Sequence, residues 1–164
     1  MTAAIVIREI QAAEFACIWP IFQVVIARGD TYPYPSDLGF EVARGMWTTP
    51  PARCFIAEAD GQVLGCYRIA PNQVGRGDHV ANGSYMVAPG ARGRGVGAAL
   101  CEHSLDEARR SGFIAMQFNM VVSTNETAVR LWQRHGFRII GQVPGGFRHA
   151  VHGLIDTYVM HRML

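Results

Sequence analysis

The chain has 164 residues, 49% of them apolar and 17% charged, with a formal net charge of +2. That length fits one domain spanning residues 1–164, and so much apolar material builds a core without disulfide staples or a structural metal. The near-balanced charge argues against a nucleic-acid partner, and no run approaches the roughly 18 apolar residues that a membrane span needs.

Residues 1–8 lack the charged-then-apolar pattern of an export leader. Cys17, Cys54, Cys66 and Cys101 are scattered through apolar stretches with no C-x-x-C pair. Free thiols and a cytoplasmic location are the expectation.

Ile5 to Ile10 reads as an opening strand. Phe15, Ile18, Trp19, Phe22, Val25 and Ile26 then recur at helical spacing, with a kink expected at Pro20. Thr31 to Ser36 is an aromatic loop, and a short helix is expected between Leu38 and Trp47. Residues 53–59 and 62–70 form a hairpin across Asp60-Gly61. After a Gly-rich loop come a strand over 79–88, a helix over 95–110, a strand over 114–121 and a helix over 125–135. The last two strands, 137–143 and 154–163, are separated by Pro144-Gly-Gly146. This order predicts a mixed α/β fold with helices on both faces of one sheet.

Arg92-Gly93-Arg94-Gly95-Val96-Gly97 stands directly between a strand and a helix. Its glycines let an anion approach the main chain, the helix N-terminus attracts it, and the arginines add charge-assisted hydrogen bonds. A phosphate group is the expected ligand. No Gly-Lys-Ser/Thr follows, which excludes a P-loop. The loose G-x-G-x-x-A match of Gly93 to Ala98 lacks the parallel β-α-β array and the ribose-binding acid of a nicotinamide site.

Val87-x4-Arg92-Gly-x-Gly95-x-Gly97 resembles motif A of the GNAT superfamily of N-acetyltransferases, and Asn125-x2-Ala128-x2-Leu131-Trp-x3-Gly136-Phe137 resembles the motif that follows it. The ending Gly146-Phe-Arg-His149 and the aromatic loop are similar to the phosphinothricin-acetyltransferase-like branch. The resemblance implies a sheet of about seven strands in which strands 79–88 and 114–121 splay to admit the pantetheine arm of acetyl-CoA, used as co-substrate without a metal. It places the main chain of Met86, Val87 and Ala88 against that arm, and the turn from Arg92 to Ala98 on the pyrophosphate. The N–H near Met86 or Val87 would polarise the thioester carbonyl. Asn125 would reach the arm, although Ser123-x-x-Glu126 also reads as a capping box.

The acceptor implied is the primary amine of a small molecule, with Tyr32 and Tyr34 either walling its pocket or anchoring the loop. Trp132 stands where many relatives carry an acidic Tyr, and an indole is no proton donor near neutral pH. Asn82 occupies the place of a Glu base. His149 and His79 are the imidazole candidates for the base, and a water relay through Asn82, Asn119 or Tyr85 is the alternative. His149-x-x-His152 lacks a third ligand and makes a poor metal site. A catalytically silent acyl-CoA-binding domain is the competing function. A homodimer, with the long final strand as interface, follows from family habit alone.

Overall fold

The computed structural model describes residues 4–164. The elements are β1 (Val6–Ile10), α1 (Trp19–Ala27), α2 (Phe40–Thr48), β2 (Arg53–Ala59), β3 (Gln62–Pro71), β4 (Val80–Val87), α3 (Val96–Arg110), β5 (Ala115–Val122), α4 (Glu126–Arg134), β6 (Arg138–His149) and β7 (Gly153–Met163). One seven-stranded sheet runs in the order β1-β2-β3-β4-β5-β7-β6. Only β4 and β5 pair in parallel; the other neighbours are antiparallel.

Both faces of the sheet are covered, so the central strands read as nearly unbroken apolar runs. Alternate residues of β2 go to opposite cores. Phe55 joins Tyr67, Leu100, Met116, Trp132, Phe137 and Met160 beneath α3 and α4. Ile56 joins Phe15, Phe22, Trp47, Cys66 and Met86 beneath α1 and α2.

The expected kink at Pro20 is a clean break. A 3-10 turn over Ala12–Cys17 ends at Ile18, and α1 then starts with Pro20 in its first turn. There the missing N–H costs nothing, because that position has no intrahelical partner. Asp60 and Gly61 take the left-handed angles, φ 49° and 73°, that a tight hairpin requires.

The end of the chain departs from expectation. Pro144-Gly-Gly146 is part of β6, absorbed by register shifts between Ile139 and Gly141 and between Val143 and Phe147. The connection to β7 is the turn at 150–152. β6 is the sheet edge, where a proline removes no ladder bond. The long β7 lies between β5 and β6, so both its edges are paired within the chain and neither is open to a partner strand.

Candidate active site

β4 and β5 pair only through Val80↔Ala115, Ala81↔Met116 and Asn82↔Gln117. Beyond that rung β4 stays with β3 as far as Val87, while β5 follows β7. The two strands therefore diverge, and a cleft of about 750 Å³ opens between them. Asn82 pins its base, since its Nδ2 donates to the Gln117 oxygen at 3.0 Å.

Strand alternation decides which main-chain groups face this cleft. The Val80 oxygen accepts from Asn72 N, and Ala88 N donates to the Leu64 oxygen at 2.9 Å. Even-numbered residues of β4 thus point their main chain at β3, and Gly83, Tyr85 and Val87 point theirs into the gap. Of the three residues expected to pair with the pantetheine arm, Met86 and Ala88 are committed to the sheet. Of the three, only Val87 presents its main chain to the gap, and Tyr85, one rung deeper, presents its own as well. The Tyr85 oxygen is already bonded by the Tyr32 hydroxyl at 2.7 Å.

At its outer end the cleft meets the start of α3. Gly93 and Gly95 have φ of 74° and 79°, angles disallowed to most side chains. Gly95 is the N-cap of α3, no side chain caps it, and the first turn holds no acidic residue. The helix N-terminus is therefore left to attract an anion. Arg92, Gly93, Gly95, Val96 and Gly97 line the cleft; exposed Arg94, and Ala98, do not. Asn125, not Ser123, is the N-cap of α4: its Oδ1 accepts from Ala128 N at 3.3 Å. Its amide NH₂ remains on the cleft wall.

Trp132 is buried, with ring centroids 4.7 Å from Tyr85 and 4.8 Å from Phe118. The Tyr85 hydroxyl turns inward to Ser104 Oγ at 2.7 Å. Burial raises its pKa far above the ordinary phenol range, so it stays un-ionised near neutral pH.

The wall of the cleft away from the glycine turn is built from segments distant in sequence. Tyr32 and Tyr34 stack at 5.3 Å and line the cleft, with Tyr34 also stacked on Phe22. Burial pushes the Tyr32 hydroxyl well above its usual pKa. The turn after β6 is clasped to the end of α1 by Ala150 N donating to the Gly29 oxygen at 2.9 Å. This brings His149 and His152 to the same cleft as Arg28 and Asp30, which form an ion pair at 2.7 Å. Arg28 and Asp30 carry no motif, and His152 only the His149-x-x-His152 pair; the fold brings all three to the cleft.

The candidate bases sort clearly. His79 is exposed, precedes the first β4–β5 rung and does not line the cleft. His149 lines it, but its Nδ1 accepts from Val151 N at 3.0 Å and His152 N at 3.3 Å. Accepting at Nδ1 places the neutral ring's proton on Nε2, so the ring presents a donor to the cleft. Asn119 donates to Asn72 Oδ1 at 2.7 Å and accepts from Gln117 Nε2 at 2.9 Å, so both ends of its amide are occupied.

A seven-stranded mixed sheet split between its fourth and fifth strands, with an uncapped glycine turn at the mouth of the split, defines the acetyltransferase class of folds. The sequence model of the Acetyltransferase (GNAT) family matches residues 13–137, and the chain belongs to that family. It is similar to N-acetyltransferase aca1 of Schizosaccharomyces pombe, 38% identical over 98 residues, or 59% of this chain and 47% of that protein. The matched stretch thus spans about half the length of that curated relative. A GCN5-related N-acetyltransferase from Kribbella flavida superposes with a TM-score of 0.93 at 48% identity, covering 98% of each chain. A GNAT superfamily phosphinothricin acetyltransferase from Sinorhizobium meliloti, solved in complex with AcCoA, shares the fold. Its TM-score is 0.85 at 22% identity, over 100% of this chain and 89% of that one.

Proposed function

We propose that the protein transfers the acetyl group of acetyl-CoA to the primary amine of a small molecule, by direct attack within a ternary complex. The observation that carries this reading is the divergence of β4 from β5 past Asn82, which leads from the uncapped N-terminus of α3 to the centre of the sheet. Pyrophosphate bound at Arg92 to Gly97 directs the pantetheine arm inward along β4. The arm meets the Val87 main chain first, and the thioester comes to rest one rung deeper. There the Tyr85 N–H polarises its carbonyl and stabilises the tetrahedral oxyanion, an interaction worth about 2.7–4 kcal/mol in other acyl transferases.

The amine enters from the opposite side, between the Tyr32–Tyr34 stack and the clasped turn at 150–152. Buried Trp132 serves as packing rather than as an acid. A CoA thiol, with a pKa of about 8.5, leaves as thiolate with little help. Among the described residues the only carboxylate lining the cleft, Asp30, is ion-paired with Arg28, which favours a compact acceptor over a polycationic one. The single-domain organisation and a cytoplasmic location belong to the same proposal.

Acetyl-CoA should raise the melting temperature where NADH does not, and an amine panel should release CoA thiol. Stabilisation without thiol release from any amine would favour the silent CoA-binding alternative. No stabilisation at all would remove the cofactor assignment.

A further inference from the structure

We propose that His152 is the general base of this reaction, taking the proton that the acceptor ammonium must shed before its nitrogen can attack. The assignment rests on the acetyltransferase reading above. It begins from the hydrogen bonds of the neighbouring histidine: with Nδ1 of His149 held by two main-chain N–H groups, that ring offers the cleft only its Nε2–H. It is a donor there.

The His152 ring lies in the same cleft, its centroid 4.5 Å from that of His149 and tilted by 38°. No described residue hydrogen-bonds this ring, so it keeps an unshared nitrogen lone pair. Its position is nonetheless constrained. The turn carrying it is clasped to the end of α1 by Ala150 N and the Gly29 oxygen, and Gly29 leaves room for the Ala150 methyl.

The other ionisable groups on the acceptor side are already engaged. Arg28 and Asp30 hold each other, Tyr32 donates to the Tyr85 oxygen, and Tyr34 accepts from Trp47 Nε1 at 3.4 Å. Arg92 stands at the phosphate end and carries no removable proton near neutral pH. His152 is the one titratable side chain lining the acceptor half with a nitrogen to spare.

The proton balance is simple. The ammonium gives one proton to the imidazole, directly or through one water, and the free amine attacks the thioester carbon. The C–N bond forms, the C–S bond breaks, and the thiolate leaves. The second amine proton passes through water to the departing sulfur or to solvent, and imidazolium returns its proton to solvent.

The test is kcat/KM for an amine acceptor against pH in wild type, His152→Ala, His152→Asn and His149→Ala, with acetyl-CoA stabilisation measured in each. In wild type the rate should fall towards acid. Both His152 variants should lose about 100-fold or more, and their acid limb should shift up to the range in which the acceptor ammonium itself sheds its proton. They should still be stabilised by acetyl-CoA, and free imidazole should restore part of the His152→Ala rate. His149→Ala should be slower yet keep the limb. An acid limb that stays at its wild-type position in both His152 variants would overturn the assignment. Failure of the wider reading is distinct: wild type would then show neither stabilisation by acetyl-CoA nor thiol release.

Discussion

The Tyr32 hydroxyl donates to the main-chain oxygen of Tyr85 at 2.7 Å, across the open edge of β4. An edge strand inside a cleft would otherwise leave that carbonyl unpaired, and Tyr32 closes the rung from the side of α1 and α2. The same bond fixes the Tyr32–Tyr34 wall relative to β4. Tyr32→Phe keeps the stack on Tyr34 and removes only the bond. A stability loss of about 1 kcal/mol is expected in urea unfolding, together with a higher KM for the acceptor. An unchanged midpoint and KM would show that the carbonyl does not need this partner.

The clasp at Gly29 is testable against a control glycine. Gly29 has φ of 59°, and a Cβ there would lie 3.0 Å from the Ala150 Cβ; Gly61 has φ of 73° and nothing within 4 Å. Both substitutions to Ala incur the left-handed cost of about 1–2 kcal/mol. Gly29→Ala should lose more than Gly61→Ala, and it alone should raise the acceptor KM. Equal losses in unfolding experiments would mean that the turn is not held by the clasp.

The two turn arginines should separate. Arg92 lines the cleft and Arg94 does not. Arg92→Ala should weaken acetyl-CoA binding about tenfold or more, since a charge-assisted hydrogen bond contributes about 1.5–3 kcal/mol and about 1.4 kcal/mol is tenfold. Arg94→Ala should cost less. Titration calorimetry at two salt concentrations checks both, and equal losses would place the phosphates outside the turn.

Acid stability has a definite sign. The hydrogen bond from Arg53 holds Glu9 below the ordinary carboxylate range. Asp156 is held low by Gly145 N at 2.9 Å and by Gln142. A carboxylate whose folded pKa is depressed contributes stability that is full above its unfolded pKa, about 4. That contribution is lost as pH falls through the folded value. The melting temperature should therefore drop on acidification below about pH 4. Asp156→Asn should melt lower than wild type at neutral pH, with the gap closing in acid. A gap independent of pH would assign the effect to packing of the β6 bulge.

Burial pushes the Cys54 and Cys101 thiols up to about 12 and Cys66 well above its ordinary value, while half-buried Cys17 is raised less strongly. Since thiolate is the reactive form, a disulfide reagent should modify no more than one thiol promptly in the native protein and all four after denaturation. Prompt modification of several would show that the core opens readily.

Much of the fold was legible from local chemistry. The helix and strand periodicities, the Asp60-Gly61 hairpin and the glycine turn before α3 all depend on neighbours a few residues apart, and the structure contains them. Pro144-Gly-Gly146 misled because turn residues on an edge strand can be absorbed by bulges, and only the pairing with β7 shows that they are. Ser123 was overtaken by Asn125 as the cap of α4, since the choice between adjacent capping residues turns on where the strand before them ends.

What the sequence by itself determined is the glycine turn before α3 and, through the family resemblance of its motifs, the splayed-sheet class, because the turn and the motifs are short, contiguous patterns of glycine, arginine and apolar residues. Tertiary structure decided the wall of the cleft away from that turn. Arg28, Asp30, Tyr32, His149 and His152 share one cleft only because the Ala150–Gly29 bond joins the end of α1 to the β6–β7 turn. Which nitrogen of His149 is occupied, which main chain of β4 is free, and which edges of β7 are closed depend on strand register and on hydrogen bonds between distant segments. Such contacts form only when the sheet is assembled, and no local pattern of residue types encodes them.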